Sequence, residues 1–192
     1  MRPSLFQIDT ALLTTRTVVR RFRENDGEAF YRLVDDNRDY LMDHFPILVA
    51  EVGVDANAAE TFLRERIAYW LLQHDFAFGV WSNETTELIG YVHLFELNWS
   101  VPSAEISFFL DRGYEEQGLM TEVLARVVRF GFRQLDLEKI YLRTLADNYG
   151  SQRVVRKVGF GREGDLRNEF RRPGGMLVDL VRFGLTRETY GE

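Results

Sequence analysis

The stretch that constrains this chain most runs from Ala104 to Thr144. "AEISFFL" (residues 104–110) has the composition and alternation of a strand. From Gly118, apolar residues fall at Leu119, Val123, Leu124, Val127, Val128, Phe132 and Leu135, one stripe of an amphipathic helix. "KIYLRT" (139–144) is a strand again. A strand–helix–strand step of this kind implies two neighbouring parallel strands with a helix across them. The preceding stretch connects differently. "FAFGVWS" (76–82), "LIGYVHLFEL" (88–97) and "AEISFFL" are separated only by the turn segments "NETTE" and "NWSVPS". Connections that short make an antiparallel meander. The sheet is therefore mixed, and residues 104–110 sit where antiparallel pairing gives way to parallel pairing and strands splay.

The remaining segments fit around that sheet. "RTVVRRF" (16–22) reads as a first strand, and Asn25 or Asp26 can cap a helix running to about Asn37. Residues 37–54 read as irregular. Residues 55–73 are helical, with Phe62, Ile67, Trp70 and Leu71 at near-helical spacing. "SQRVVRKVGF" (151–160) is a short helix with Ser151 as N-cap and Gly159 at its stop. The end reads as a hairpin, about 161–166 and 176–185, around a loop containing "RRPGG". The expected fold class is α/β (α+β), a mixed, mostly antiparallel sheet of about seven strands flanked by helices, in one domain over residues 1–192.

The 192 residues hold no cysteine, which removes disulfides, thiolate metal sites and cysteine nucleophiles. His44, His74 and His93 lack metal-ligand spacing, so no metal is expected. Net charge is −6, a poor match to nucleic acid. It is uneven: nine Lys and Arg against sixteen Asp and Glu in residues 1–100, fifteen against fourteen in residues 101–192. The acidic half either favours a cationic substrate or is a solvated surface. No apolar run of spanning length and no secretory signal is visible, so no membrane partner and a cytoplasmic location are expected.

"GYEEQGLMTEVL" (113–124) carries the first chemical signal. A glycine opening a helix gathers free backbone N–H groups, and such a start attracts anions. Glu115 and Glu116 stand at its lip. Because the donors are main-chain groups, the two carboxylates are expected to point to solvent, at some electrostatic cost to a bound phosphate.

"EQGLMTEVL" is similar to the pyrophosphate loop and helix of the GNAT acyl-CoA N-acyltransferases, and "DNYGSQRVVRKVGF" closely resembles that family's later motif. With "EISFFLD" and the "LRNEFRRPGGMLVDLVRFGL" ending, the whole chain resembles the Rim-type branch, which includes acetyltransferases of ribosomal-protein N-terminal amines. Two positions depart from the pattern: Glu115 holds the usual Gln or Arg position and Glu116 the usual glycine position.

The resemblance implies acetyl-CoA as cosubstrate, with Glu116, Gln117, Gly118, Met120 and Thr121 around its phosphates. Thr121 either caps the helix or bonds phosphate. Phe108, Phe109 and Leu110 supply a strand for the pantetheine arm, and Asn148 either contacts that arm or serves the turn. Glu105, matching a frequent family glutamate, is the candidate base for the amine's proton, against a reading as a solvent-facing strand residue. Ser151 is the candidate donor to the CoA sulfur besides its capping role, with Tyr141 and Tyr149 as other candidates. "FRRPGG" (170–175) either grips the adenosine 3′-phosphate or forms an exposed hairpin tip. Asp39, Asp43 and Glu51 fall where the family places acceptor loops. The expected function is acetyl transfer to a primary amine, above all a peptide or protein N-terminus, by a monomer or homodimer. A small amine such as a polyamine or aminoglycoside-like compound is the alternative acceptor, and a CoA-binding protein with little catalysis the alternative class.

Overall fold

The computed structural model describes residues 3–191. In chain order the elements are β1 (Ala11–Leu13), β2 (Thr17–Arg21), α1 (Gly27–Asp36), α2 (Arg38–His44), α3 (Pro46–Val52), α4 (Ala56–Leu71), β3 (Phe76–Ser82), β4 (Leu88–Asn98), β5 (Ser103–Leu110), α5 (Leu119–Arg133), β6 (Lys139–Leu145), α6 (Tyr149–Val158), β7 (Gly161–Arg171), β8 (Leu177–Thr186) and the single turn α7 (Arg187–Tyr190). The strands form one sheet in the order β1-β2-β3-β4-β5-β6-β8-β7. Eight strands replace the expected seven because the three-residue β1 pairs with β2, a segment too short to show an alternation.

Every neighbour pair is antiparallel except β5 and β6. That parallel pairing covers only Ser103↔Lys139, Ala104↔Ile140 and Glu105↔Tyr141. Beyond it the strands part, so the expected splay falls at Ile106–Leu110 on the β5 side.

Each face of the sheet carries a core. The stripe read from the sequence buries α5 against one face, where Val123, Leu124, Val127 and Val128 meet Ala104, Ile106, Phe108 and Leu110 of β5. On the other face Phe30, Leu33, Val49, Phe62 and Leu63, from α1, α3 and α4, pack with Tyr91 and Phe109. β5 thus turns alternate residues to opposite faces, as a pleated strand must. Glu105, Ser107 and Phe109 share the α1–α4 face.

Three local expectations change. Residues 37–54 are not irregular but hold α2 and α3, the second opened by Pro46 at its first turn. Asp26 occupies the N-cap position of α1 without capping it. Its carboxylate is spent on the Arg20 guanidinium and the Arg23 N–H. The first hairpin strand reaches Arg171, longer than read, because bulges between Arg162 and Gly164 and between Leu166 and Phe170 break its alternation, while the second lies within one residue of its expected bounds.

Candidate active site

A cavity of about 640 Å³ opens beside the diverging end of β5, between the start of α5 and the start of α6. Phe108, Phe109, Leu110, Glu116, Gly118, Met120, Thr121, Asn148 and Ser151 all line it. Two of the expected site residues do not. Gln117 turns its amide back to the Gly113 carbonyl, 3.3 Å away. Glu105 lies two residues further down the strand face, considered below.

The α5 entrance has the backbone form of an anion cradle. Gly118 has φ 78°, left-handed, and a Cβ there would meet only the Arg16 guanidinium at 3.7 Å. Glycine is needed here for backbone conformation rather than for room. The first intrahelical bond runs from Glu122 N–H to Gly118 C=O, so the N–H groups of Leu119, Met120 and Thr121 precede the helical ladder. Upstream, Asp111 accepts from Gly113 N–H and from the Asn37 side chain, both at 2.8 Å. Asn37 in turn accepts from Arg112 N–H. This buried asparagine at the end of α1 fixes the loop, and nothing local in the sequence marks it.

Glu115 and Glu116 are solvent-exposed at the rim of the cavity. Both stand on its wall. Glu116 has φ 60°, so the position where the resemblance implies glycine keeps glycine-like backbone here with a glutamate in it. Burial pushes the Glu115 carboxyl up, Arg112 opposes this, and Glu116 and Asp111 add to it.

At α6 the capping residue is Asn148, not Ser151. The helix begins at Tyr149, and the Asn148 side-chain oxygen accepts from Ser151 N–H at 3.0 Å. The Ser151 hydroxyl is thereby released from capping while it lines the cavity. The Asn148 amide nitrogen faces His44 Nδ1 at 3.4 Å, and His44 packs on Tyr40 with ring centroids 4.5 Å apart. Burial pushes the His44 imidazole below its ordinary value, against Asp43 and Asp147. The hairpin tip is tied to this corner, Arg172 pairing with Asp147.

Tyr40, His44, Tyr114, Arg153 and Lys157 also line the cavity and were not singled out in the sequence. For Arg153 and Lys157 a signal existed: they lie four apart, on one face of α6, within the motif already noticed.

Glu105 is 4% exposed and held by Arg143, whose Nε lies 3.0 Å from each carboxylate oxygen. Burial raises the Glu105 carboxyl, and Arg143 pulls it back part of the way. Arg143 also reaches Glu96 at 3.2 Å, and the Tyr141 hydroxyl donates to Glu96 at 3.0 Å. Tyr141 is pushed up to about 12, by burial first and then by Glu96, which makes it a weak acid. Tyr149 is exposed on the cavity wall. Among the described residues no group of three His, Asp or Glu stands together as a metal site, and no helix is long and apolar enough to cross a membrane.

A parallel seam that parts beside a glycine-opened helix, with an asparagine-capped helix across the gap, defines an acyl-CoA-dependent acetyltransferase fold. Residues 16–161 match the acetyltransferase (GNAT) domain family, and the chain belongs to it. It is 30% identical over 158 residues to the probable N-acetyltransferase YjcK of Bacillus subtilis (strain 168), covering 81% of this chain and 87% of that protein. It is 34% identical over 84 residues to the spermidine N(1)-acetyltransferase of Escherichia coli (strain K12), 44% of this chain and 45% of that one. Its fold matches RimL, the ribosomal L7/L12 alpha-N-protein acetyltransferase in complex with coenzyme A. The TM-score is 0.84 at 18% identity, over 93% of this chain and 98% of the other. The protein is thus a GNAT N-acetyltransferase with Rim-type enzymes among its structural neighbours, and its family uses acetyl-CoA.

The residues present fit that cosubstrate. The left-handed Gly118 and the N–H groups after it suit a pyrophosphate, and Arg153 and Lys157 bring cations to the same cavity.

Proposed function

We propose that the acceptor is a primary amine at a peptide or protein N-terminus, acetylated in the cytoplasm. The observation that carries acetyl transfer is the convergence, in one cavity, of the Gly118 helix start, the diverging end of β5 and the Asn148-capped helix. Preference for a peptide acceptor is supported by extent. The sequence likeness to the putative ribosomal N-acetyltransferase YdaF of Bacillus subtilis (strain 168) runs over 95% of this chain and 98% of that one, whereas the sequence likeness to the spermidine enzyme covers less than half of either.

Acetyl-CoA supplies the activated acetyl group. The Leu119–Thr121 N–H groups, Arg153 and Lys157 hold its phosphates, and the Phe108–Leu110 backbone and Asn148 align its arm. The Ser151 hydroxyl, freed from capping, donates a proton toward the leaving sulfur. Glu105 takes the role of holding the acceptor. Glu96 and Glu105 share one guanidinium, so the group keeps one net negative charge to draw an ammonium. A carboxylate gripped through both oxygens is better placed to hold a cation than to abstract a proton.

The test is an amine panel. Purified protein and acetyl-CoA are incubated with N-terminal peptides, polyamines and aminoglycosides, and added acetyl groups are read by mass spectrometry. Acetylated peptides with untouched polyamines support the reading; acetylated polyamines alone overturn its acceptor.

A further inference from the structure

The sheet face that leads away from the cavity carries a polar cluster that the mechanism above does not use. From Phe109 on the cavity wall, β5 continues through Ser107 to Glu105, and β4 runs opposite with Tyr91↔Phe109, His93↔Ser107 and Phe95↔Glu105. His93, Phe95, Ser107 and Arg143 are all partly exposed, so this strip is an open floor between the cavity and the Glu105–Arg143 pair.

Beneath His93 lies Asp75, itself buried. His93 Nε2 stands 3.1 Å from Asp75 Oδ2, and Arg66 Nη1 donates to the same oxygen at 3.0 Å. Beside this contact three further buried polar atoms lack a hydrogen-bond partner: Arg66 Nε, Asp75 Oδ1 and Tyr91 Oη. Buried polar atoms are seldom left unpaired, and three together mark a place with room and partners for water. With Nε2 turned to a buried carboxylate, Nδ1 of this partly exposed imidazole is the nitrogen left to accept a proton from the strip.

We propose that His93, held by Asp75, accepts through one bridging water the proton that the acceptor ammonium must lose before attack. This rests on the amine-acetylation reading above and deepens it. The deprotonated amine's lone pair forms the N–C bond to the acetyl carbon. The C–S bond breaks and its electron pair leaves on the CoA sulfur. The second proton of the attacking nitrogen goes to that sulfur by way of the Ser151 hydroxyl. His93 returns the first proton to bulk water, so acetylated amine, free thiol and one released proton balance the reaction.

The charged and titratable groups around His93 are Asp75 ahead of β3, Arg66 with its neighbours Glu65 and Tyr69 on α4, Glu51 on α3 within electrostatic reach of Tyr91, Tyr91 on β4, and Glu105 one pair along β5. Asp75 is the positioning residue: its Oδ2 faces the imidazole Nε2 and so fixes which nitrogen is left toward the strip.

The experiment measures pH–rate profiles for amine acetylation by the wild type, His93→Gln, Asp75→Asn and Glu105→Gln, with acetyl-CoA affinity and thermal midpoint for each. His93→Gln is expected to lower turnover at neutral pH by about 100-fold and abolish the acidic limb, with acetyl-CoA affinity kept. Asp75→Asn is expected to cause a smaller loss of turnover, with acetyl-CoA affinity kept. His93→Asn, read the same way, decides the matter if His93→Gln does not fold. An unchanged limb in a folded His93→Gln, or a limb lost only in Glu105→Gln, overturns the assignment and returns the proton to Glu105. If the wild type acetylates no amine, the reading above falls and this one with it. Transfer by the wild type with an unmoved limb in a folded His93→Gln sinks this inference alone.

Discussion

The Arg143 guanidinium closes on the Glu105 carboxylate through Nε, 3.0 Å from each oxygen, across the last registered pair of the parallel seam. The contact joins β5 to β6 where they begin to part. It also gives Glu105 a partner that reading along β5 alone does not reveal.

Removing that partner exposes the cost of burying the carboxylate. Arg143→Met is expected to destabilise the protein by about 1–3 kcal/mol at pH 7, the range for a buried polar group left unpaired. The sign of the pH dependence follows from burial. A carboxyl raised by the fold binds its proton more tightly folded than unfolded, so the penalty grows as pH rises through the folded value and fades below it. Thermal melts at pH 7 and pH 4.5 check this: the deficit should shrink in acid, and a constant deficit would show that Arg143 acts only through packing.

The two capping candidates at α6 can be separated by one pair of variants. Asn148→Ala should lose about 1 kcal/mol of stability along with acetyl-CoA affinity, because its oxygen satisfies Ser151 N–H. Ser151→Ala should melt like the wild type and lose turnover. A lowered melting point in Ser151→Ala with normal turnover would return the cap to Ser151.

Gly118 should tolerate no branched side chain. Its φ of 78° costs an L-residue about 1–2 kcal/mol, although space for a Cβ exists. Gly118→Val is expected to lower both the thermal midpoint and acetyl-CoA affinity in calorimetry. Wild-type affinity in a folded variant would remove the cradle from the site.

Glu115 and Glu116 are expected to work against phosphates held at the Gly118 helix start. At a separation of ~7 Å in water each charge pair costs ~0.6 kcal/mol, about threefold in affinity. Glu115→Gln should therefore bind acetyl-CoA about threefold more tightly at low salt, with the gain fading as salt is added. Glu116→Gly should gain a similar amount in affinity and, by relieving a left-handed glutamate, also raise the thermal midpoint. Weaker binding in Glu115→Gln would mean that the carboxylate assists the ligand.

What could be read along the chain was whatever sequence periodicity controls. β3 was read with its observed bounds, the α5 stripe is buried as expected, and the antiparallel-to-parallel change falls at β5. Most of the wall of the cavity followed, since a helix start and a strand end are local features. What escaped depends on chain segments meeting. The Asn37 tether to the α5 loop spans 74 residues, and Arg143 reaches Glu105 across 38. α2 and α3, at seven residues each, are too short for a stripe, and with them Tyr40 and His44 were missed. The cap at α6 was misplaced because Asn and Ser both cap helices, and only the helix start decides between them.

The parallel seam has a mechanical consequence. β1–β5 and β6–β8 are two antiparallel blocks, and within the sheet they are stitched together by only three registered residue pairs. A sheet so divided has a line of weakness built into its middle, and amide hydrogen exchange should find it: Ser103–Glu105 and Lys139–Tyr141 should lose protection before the interiors of either block. The same line ends at the cavity mouth, so a ligand lying across it would act as a rivet, and slower exchange along the seam would report its arrival far from any atom it touches.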